Sequence, residues 1–367
     1  MAIGNDVSLD NEIDFERRIC RLGLILTFML YSLTCKPPDL ENLCDPSAES
    51  FQRTSILQGL VGDKTPLCGV SSQFVLSNPG TTNSNPSSTP APTNWSQEAY
   101  IKAPNADTLD FFGSSVSFSG DTIVVGAFGE DSNQTTITST ASGDNSVANA
   151  GAAYVFVRSG TTWSLEAYIK APNAEANDEF GTSVSISGDT LVSGASGEDS
   201  NQTTITSTAS GDNSTSNAGA AYVFVRSGST WSQQAYIKAP NAEAGDLFGS
   251  IVSISGDTLV VGVSREDSNQ TTITNGNTAS GDNSTVNAGA AYVFVRSGTN
   301  WSQQAYIKAP SAEANDEFGS IVSISGDTIV VGARFEDSNQ NTITNGSTAS
   351  SDNSASNAGA AYVFVRK

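Results

Sequence analysis

The chain contains no histidine. That removes the commonest general base, the usual partner of a nucleophilic serine or cysteine, and the most frequent transition-metal ligand. Most enzyme classes lose their central group, and the chain reads as a non-enzyme. Positive charge is also scarce: 17 Lys and Arg stand against 38 Asp and Glu, a formal net charge of −21. Such a body repels polyanions, so no nucleic-acid partner is expected, whereas cations, divalent metal ions included, are attracted. Charged residues make up only 15 % of the sequence, and Gly, Ser, Thr, Asn and Ala take their place. That mixture disfavours long helices and suits short strands joined by polar turns, which points to an all-β fold.

Long apolar runs are missing except for Leu22 to Leu33 (LGLILTFMLYSL), which is too short to span a bilayer comfortably. Arg17, Arg18 and Arg21 precede it, so residues 1–34 read as a signal peptide. The acidic stretch NDVSLDNEIDFE before the arginines is foreign to such a signal and points to a true start downstream of Met1. The run ends in Ser32, Leu33, Thr34 and Cys35, which resembles the lipobox of bacterial lipoproteins. The resemblance implies cleavage before Cys35, lipidation of its sulfur, a membrane anchor, and a place in the cell envelope, on the outer membrane facing the exterior. Ser32 and Thr34 depart from the usual Leu and Gly or Ala, and an ordinary cleaved signal or an uncleaved anchor are the alternatives.

Cysteine is nearly as rare, with four in the chain. Cys20 lies in the signal, which leaves Cys44 and Cys68 as an even pair whose disulfide an exported segment would favour. Asp45 and Pro46 suit a helix start, and Phe51, Ile56, Leu57, Leu60 and Val61 give a short amphipathic face. Residues 35–70 are therefore expected as a small helical stub, and residues 71–94, rich in Ser, Thr, Asn and Pro, as a disordered linker.

What the chain has in abundance is repetition. Trp95, Trp163, Trp231 and Trp301 open nearly the same phrase (WSQEAYIKAP, WSLEAYIKAP, then WSQQAYIKAP twice) at spacings of 68, 68 and 70 residues. Within each period four strands are expected. The first alternates Val184 and Ile186 with serines in FGTSVSISGD, the two-residue period of a half-buried strand; its equivalents start at Phe112, Phe248 and Phe318. Gly188 and Asp189 form a tight hairpin turn, because glycine supplies the positive φ that primed turns need. The second strand (TIVVGA, TLVSGA, TLVVGV, TIVVGA) is apolar on both faces, as a strand covered from two sides requires. GAAYVFVR is the third and the Trp phrase the fourth.

Four strands in a unit of this length fit the blades of a β-propeller over residues 95–367. The last unit reaches Lys367 with three strands, while Trp95 to Pro104 stands alone at the front. An N-terminal strand that completes the final blade gives a closed four-bladed ring with no unpaired edge. The rival arrangement is an open half of a larger propeller completed by another chain.

The phrases FGSSVSFSGDTIVVGA, FGTSVSISGDTLVSGA, FGSIVSISGDTLVVGV and FGSIVSISGDTIVVGA resemble the FG-GAP repeat of integrin-α type, named for a Phe-Gly followed by Gly-Ala-Pro. The resemblance implies a propeller and a binding or adhesion role. Phe128, Ser196, Ser264 and Arg334 replace the final Pro, and the third copy carries Gly262-Val263 in place of Gly-Ala. Repeats of this type often carry a calcium loop of alternating acidic residues, and no copy here has that spacing.

Between the second and third strands each copy has instead a long polar loop, typified by Glu198 to Asn217. Loops this long are usually functional or disordered. Each brings a Glu-Asp pair (Glu130 and Asp131, Glu198 and Asp199, Glu266 and Asp267, Glu336 and Asp337) and a later Asp (Asp144, Asp212, Asp282, Asp352). Carboxylate, amide and carbonyl oxygens are what Ca²⁺ requires, so these acids are the candidate metal ligands and Ca²⁺ the candidate cofactor. The alternative is that they only solvate the loop. The tryptophans are expected to pack at blade edges. Lys102, Lys170, Lys238 and Lys308 are read as charges guarding outer strands, with an anion-binding ring as the alternative.

The leading functional expectation is a non-enzymatic binding or adhesion module, with loops on a rigid frame meeting a protein or glycan. A structural envelope protein without a dedicated ligand is the alternative. A propeller hydrolase ranks last, because it needs one isolated acid pair whereas the acids here recur in every copy.

Overall fold

The computed structural model describes residues 94–367. The expected signal peptide, the Cys35 lipidation site, the Cys44 and Cys68 pair with its helical stub, and the linker up to residue 93 lie outside the described residues. Everything described is strand, turn or loop.

Blade I contains β1 (Ser115–Ser119), β2 (Thr122–Ala127), β3 (Ala152–Ser159) and β4 (Thr162–Ile169), antiparallel and in sequence order. Blade II repeats it with β5 (Phe180–Ser187), β6 (Thr190–Ala195), β7 (Ala220–Ser227) and β8 (Thr230–Ile237). Blade III has β9 (Ile251–Ser255), β10 (Thr258–Val263), β12 (Ala290–Ser297) and β13 (Asn300–Ile307), with a two-residue strand β11 (Thr274–Asn275) added outside β13. Blade IV holds β14 (Phe318–Ser325), β15 (Thr328–Ala333) and β16 (Ala360–Val365). The described residues form an all-β, four-bladed propeller of antiparallel sheets. The hairpins form as their residues demand: Ser187 pairs with Thr190 across Gly188 and Asp189, and Gly188 takes φ of 57°.

The expected closure of the last blade is not found. Blade IV has three strands, and Trp95 to Ile101 forms no strand and is largely exposed. The leading segment is anchored to the blade that follows it, as every fourth strand is: Ala103 is buried, and Asn105 donates to Glu130 Oε1 and accepts from the Tyr154 hydroxyl of blade I, as Asn173 does with Glu198 and Tyr222 of blade II. The two ends of the arc do not meet: Val116 and Phe118 at one end and Val363 at the other are all exposed, so β16 does not reach the segment expected to pair with it.

The apolar core lies between blades. One cluster joins Val124 and Val155 of blade I to Phe180, Val184, Leu191 and Tyr222 of blade II, and the next joins Val192 and Val223 to Phe248, Val252 and Tyr292 of blade III. Hence β6 is buried at all six positions, as its two-sided apolar sequence requires. The glycines of the repeat permit this packing: a Cβ on Gly194 would overlap the carbonyl oxygen of Gly249, and one on Gly126 that of Gly181, each across a blade boundary. The serines of the first strand, expected to face solvent, act between blades instead. Ser115 and Ser117 Oγ accept from the Val184 and Ile186 N–H groups, and Ser183 and Ser185 Oγ accept from Val252 and Ile254. Each row of hydroxyls satisfies the open backbone donors of the next blade's edge strand.

Candidate binding surface

The long loops leave every blade at the same point, between its second and third strands, and they are ordered by their own side chains. In blade I, Gln134 Nε2 donates to the Thr136 carbonyl and to Thr138 Oγ1, and Gln134 N–H donates to Ser132 Oγ. The loop then folds back along the blade, where Thr138 bridges to Tyr168 of the outer strand; Thr206 meets Tyr236 in the same way. In blade III the two extra residues of the repeat lengthen this bridge into β11, which pairs Thr274 with Tyr306.

The acids expected to bind metal divide among three tasks. Glu130, Glu198 and Glu266 are buried, and their Oε2 atoms accept from Lys170, Lys238 and Lys308 Nζ at 2.7 Å. Tyr168 and Tyr236 donate to the other oxygen of Glu130 and Glu198 at 2.7 Å, and Ser132, Ser200 and Ser268 N–H groups cap the three glutamates. Glu336 is also buried and capped by Ser338 N–H. Burial pulls the three lysines below the ordinary ammonium value, and the facing glutamate opposes it. Lys170, Lys238 and Lys308 are therefore interior ion-pair partners, which corrects their reading as guards of an outer strand.

Asp131, Asp199, Asp267 and Asp337 cap the far end of the loop, accepting from the N–H groups of Asn149, Asn217, Asn287 and Asn357. Asp144 accepts from Asn133 N–H, Ser146 N–H and Ser146 Oγ, and Asp212, Asp282 and Asp352 repeat the pattern. The serine hydroxyl first, then the backbone donors, hold these four carboxyls below their ordinary value. Among the described residues no three carboxylates gather around a point that would hold a metal ion. The expected Ca²⁺ ligands are thus spread along each loop and committed to its hydrogen bonds.

Sequence reasoning passed over another set of acids, Asp178, Asp246 and Asp316, each buried just before the Phe-Gly. Each accepts the N–H of the residue three places earlier. Burial pushes Asp178 and Asp246 up to about 7 and Asp316 up to about 6. The signal was available, since an Asp precedes Phe-Gly by two residues in all four copies, including Asp110.

The copies diverge most beside these acids, where the second strand ends against the turn leading into the first. Four sequence positions meet there: Leu109, Phe111, Phe128 and Gly129 in the first copy; Asn177, Glu179, Ser196 and Gly197 in the second; Gly245, Leu247, Ser264 and Arg265 in the third; Asn315, Glu317, Arg334 and Phe335 in the fourth. In three of the four copies the same pair of backbone positions touches, each time by different chemistry. The Phe111 and Phe128 rings stack at 4.8 Å and 9°, Ser196 donates to Glu179 at 2.7 Å, and Arg334 pairs with Glu317 at 2.5 Å. Phe111, Glu179, Leu247 and Glu317 all have φ between 53° and 59°. Leu109 also takes φ of 66°, where other copies place Asn177, Gly245 and Asn315, residues that tolerate the left-handed region. Holding an exposed leucine there costs about 1–3 kcal/mol.

Three of the four tryptophans pack as expected, Trp163 only half-buried, whereas Trp95 is fully exposed because no blade lies beside it. Trp231 and Trp301 are buried under Arg226 and Arg296, whose guanidinium carbons lie 5.3 and 5.4 Å from the ring centroids. The FG-GAP repeat model matches residues 95–156, 163–224, 231–294 and 301–364, more than half of the chain. A search of curated proteins finds no match.

Proposed function

Because the chain belongs to the FG-GAP repeat family, we propose that it is a non-enzymatic binding or adhesion module whose variable blade positions contact a protein or glycan outside the cell. One observation carries this reading: repeats that otherwise keep nearly the same strands differ most at one place that the fold builds in every blade. In blade I that place presents Leu109 and Phe111 to solvent, the first in a backbone conformation that its side chain resists. Strain and exposure held at one apolar spot are hallmarks of a contact surface rather than of a structural position. The lipid anchor on Cys35 and the outer-membrane location complete the proposal, in keeping with repeats that are typically extracellular. The linker then holds the blades away from the membrane.

The test exposes the full chain to an array of glycans and to a panel of immobilised extracellular-matrix proteins, beside the variant Leu109→Asn, Phe111→Glu, Phe128→Ser, which gives blade I the residues of blade II. Selective binding that the variant loses, with a melting temperature that does not fall, supports the proposal. Equal binding by both chains moves the contact elsewhere, and an absence of selective binding on either panel favours a structural envelope protein.

A further inference from the structure

The two ends of the arc carry matching halves of a blade boundary. Inside the arc, each boundary has four parts: a buried glutamate with its lysine, a row of serine hydroxyls, a pair of facing glycines, and apolar faces pressed together. At the leading end, Val116 and Phe118 are 65 % and 76 % exposed, whereas Val184 and Ile186 at the same positions of blade II are 4 % and 5 % exposed. At the trailing end, Val363 is 66 % exposed, whereas Val223 is fully buried. Gly113 has no atom near where its Cβ would stand, and Gly332 meets only Ile321 of its own blade, yet both keep the glycine that internal boundaries require.

The polar parts divide in the same complementary way. Glu336 is buried without a cation among the described residues, although Glu130, Glu198 and Glu266 each have one. Lys102, the lysine of the corresponding phrase, is exposed, and so is Tyr100, whose equivalent Tyr236 donates to Glu198. Ser323 and Ser325 stand where Ser185 and Ser187 accept from the following blade, and the backbone N–H groups of Phe118 and Gly120 stand where those of Ile254 and Gly256 donate.

We propose that a second copy of this chain covers the trailing face of blade IV, its Trp95 to Ala103 segment adding the fourth strand along β16 and its blade I packing as the next blade. Lys102 of one copy then enters the socket of Glu336 in the other, and Trp95 takes the place over Arg366 that Trp231 takes over Arg226. One copy does not supply both halves of this boundary in the observed arc, because its two end faces are both uncovered. The boundary is heterologous, so copies join head to tail and close into a ring or continue as a filament.

Cysteine pairs in the full chain distinguish the sources of the strand. Blade II pairs Val223 with Ala235, which places Val363 of one copy opposite Ala99 of the next. Chains carrying only Ala99→Cys and only Val363→Cys are mixed, oxidised and separated without reductant. The proposal expects a linked dimer beyond that given by either variant alone. It expects the link to be lost when the first chain also carries Lys102→Glu, and to return when the second also carries Glu336→Lys. Should Glu336→Lys fail to fold, Phe118→Asp on the exposed face of the first chain is expected to abolish the link without lowering the melting temperature. A link that forms only when both cysteines occupy one chain, at the mass of a monomer, means self-closure and overturns the proposal; so does a mixture that gives no linked dimer.

Discussion

Replacing Lys238 by methionine isolates the strongest electrostatic feature of the fold. The Lys238 and Glu198 side chains are 0 % and 1 % exposed and 2.7 Å apart, so the substitution leaves a carboxylate stranded in the interior. Methionine fills most of the lysine stem's volume, and packing changes little. The loss of one partner from a buried pair costs about 3–5 kcal/mol, several times the worth of an exposed pair. The remaining donors to Glu198, Tyr236 at 2.7 Å, Ser200 N–H at 3.2 Å and Asn173 Nδ2 at 3.2 Å, offset only part of it. Blades contact mainly their neighbours, so the unfolding of such an array is not guaranteed to be all-or-none, and hydrogen exchange resolved by blade is the appropriate assay. Lys238→Met is expected to speed exchange at Ser200 and along β6 to β8 by the equivalent of that cost. Adding Glu198→Gln to Lys238→Met is expected to recover most of the loss. A single-variant cost below about 1 kcal/mol, the range of a surface pair, would refute the placement of the pair in the core.

Gly194→Ala pushes a methyl group into the Gly249 carbonyl of the next blade and is expected to lower stability by at least about 2 kcal/mol in a urea titration, against a small change for Gly143→Ala, which has open space around it. Asp178, Asp246 and Asp316 have folded values above the ordinary 3.8, so the folded chain holds protons that the unfolded chain has released. Their contribution is full below the unfolded value and is lost as pH rises through about 6 to 7; the melting temperature should rise between about pH 8 and pH 5, and less so in Asp178→Asn. A melting temperature that falls over that interval contradicts the burial of these groups. Calcium at about 1 mM, the scale of weak extracellular sites, is expected to leave the melting temperature unchanged, because the loop carboxylates already accept backbone and serine donors. A rise that disappears when Asp144, Asp212, Asp282 and Asp352 are all changed to Ala would restore them as ligands.

The strands were legible because their periodicity reports burial directly. Val184 and Ile186 alternate with serines, and TLVSGA is apolar throughout, so hairpins, blade order and a core between blades follow from pattern alone. The partners of polar residues were not legible, because a sequence pattern does not tell a side chain facing water from one facing another blade. Ser183 and Ser185 looked solvent-facing and bond the next blade; Lys170, Lys238 and Lys308 looked like edge charges and sit opposite glutamates about forty residues away in sequence. Closure was misjudged for the same reason. The Trp phrase has the right pattern for a fourth strand, but whether the last blade comes round to meet it is decided by how the blades pack, which is tertiary. The variable cluster was visible as the replaced Pro of the repeat, Phe128, Ser196, Ser264 and Arg334; its meaning needed the fold, which brings Phe111, Glu179 and Glu317 against three of them.

The binding role is tested most directly by a chain in which the variable cluster is made uniform, with blades I, III and IV given the Asn, Glu, Ser and Gly of blade II at these four positions. Its binding to cells or to an immobilised partner would be compared with that of the unchanged chain by surface plasmon resonance. Loss of binding with a melting temperature that does not fall is the predicted result. Full binding by the uniform chain would contradict the assignment of these positions as the contact surface.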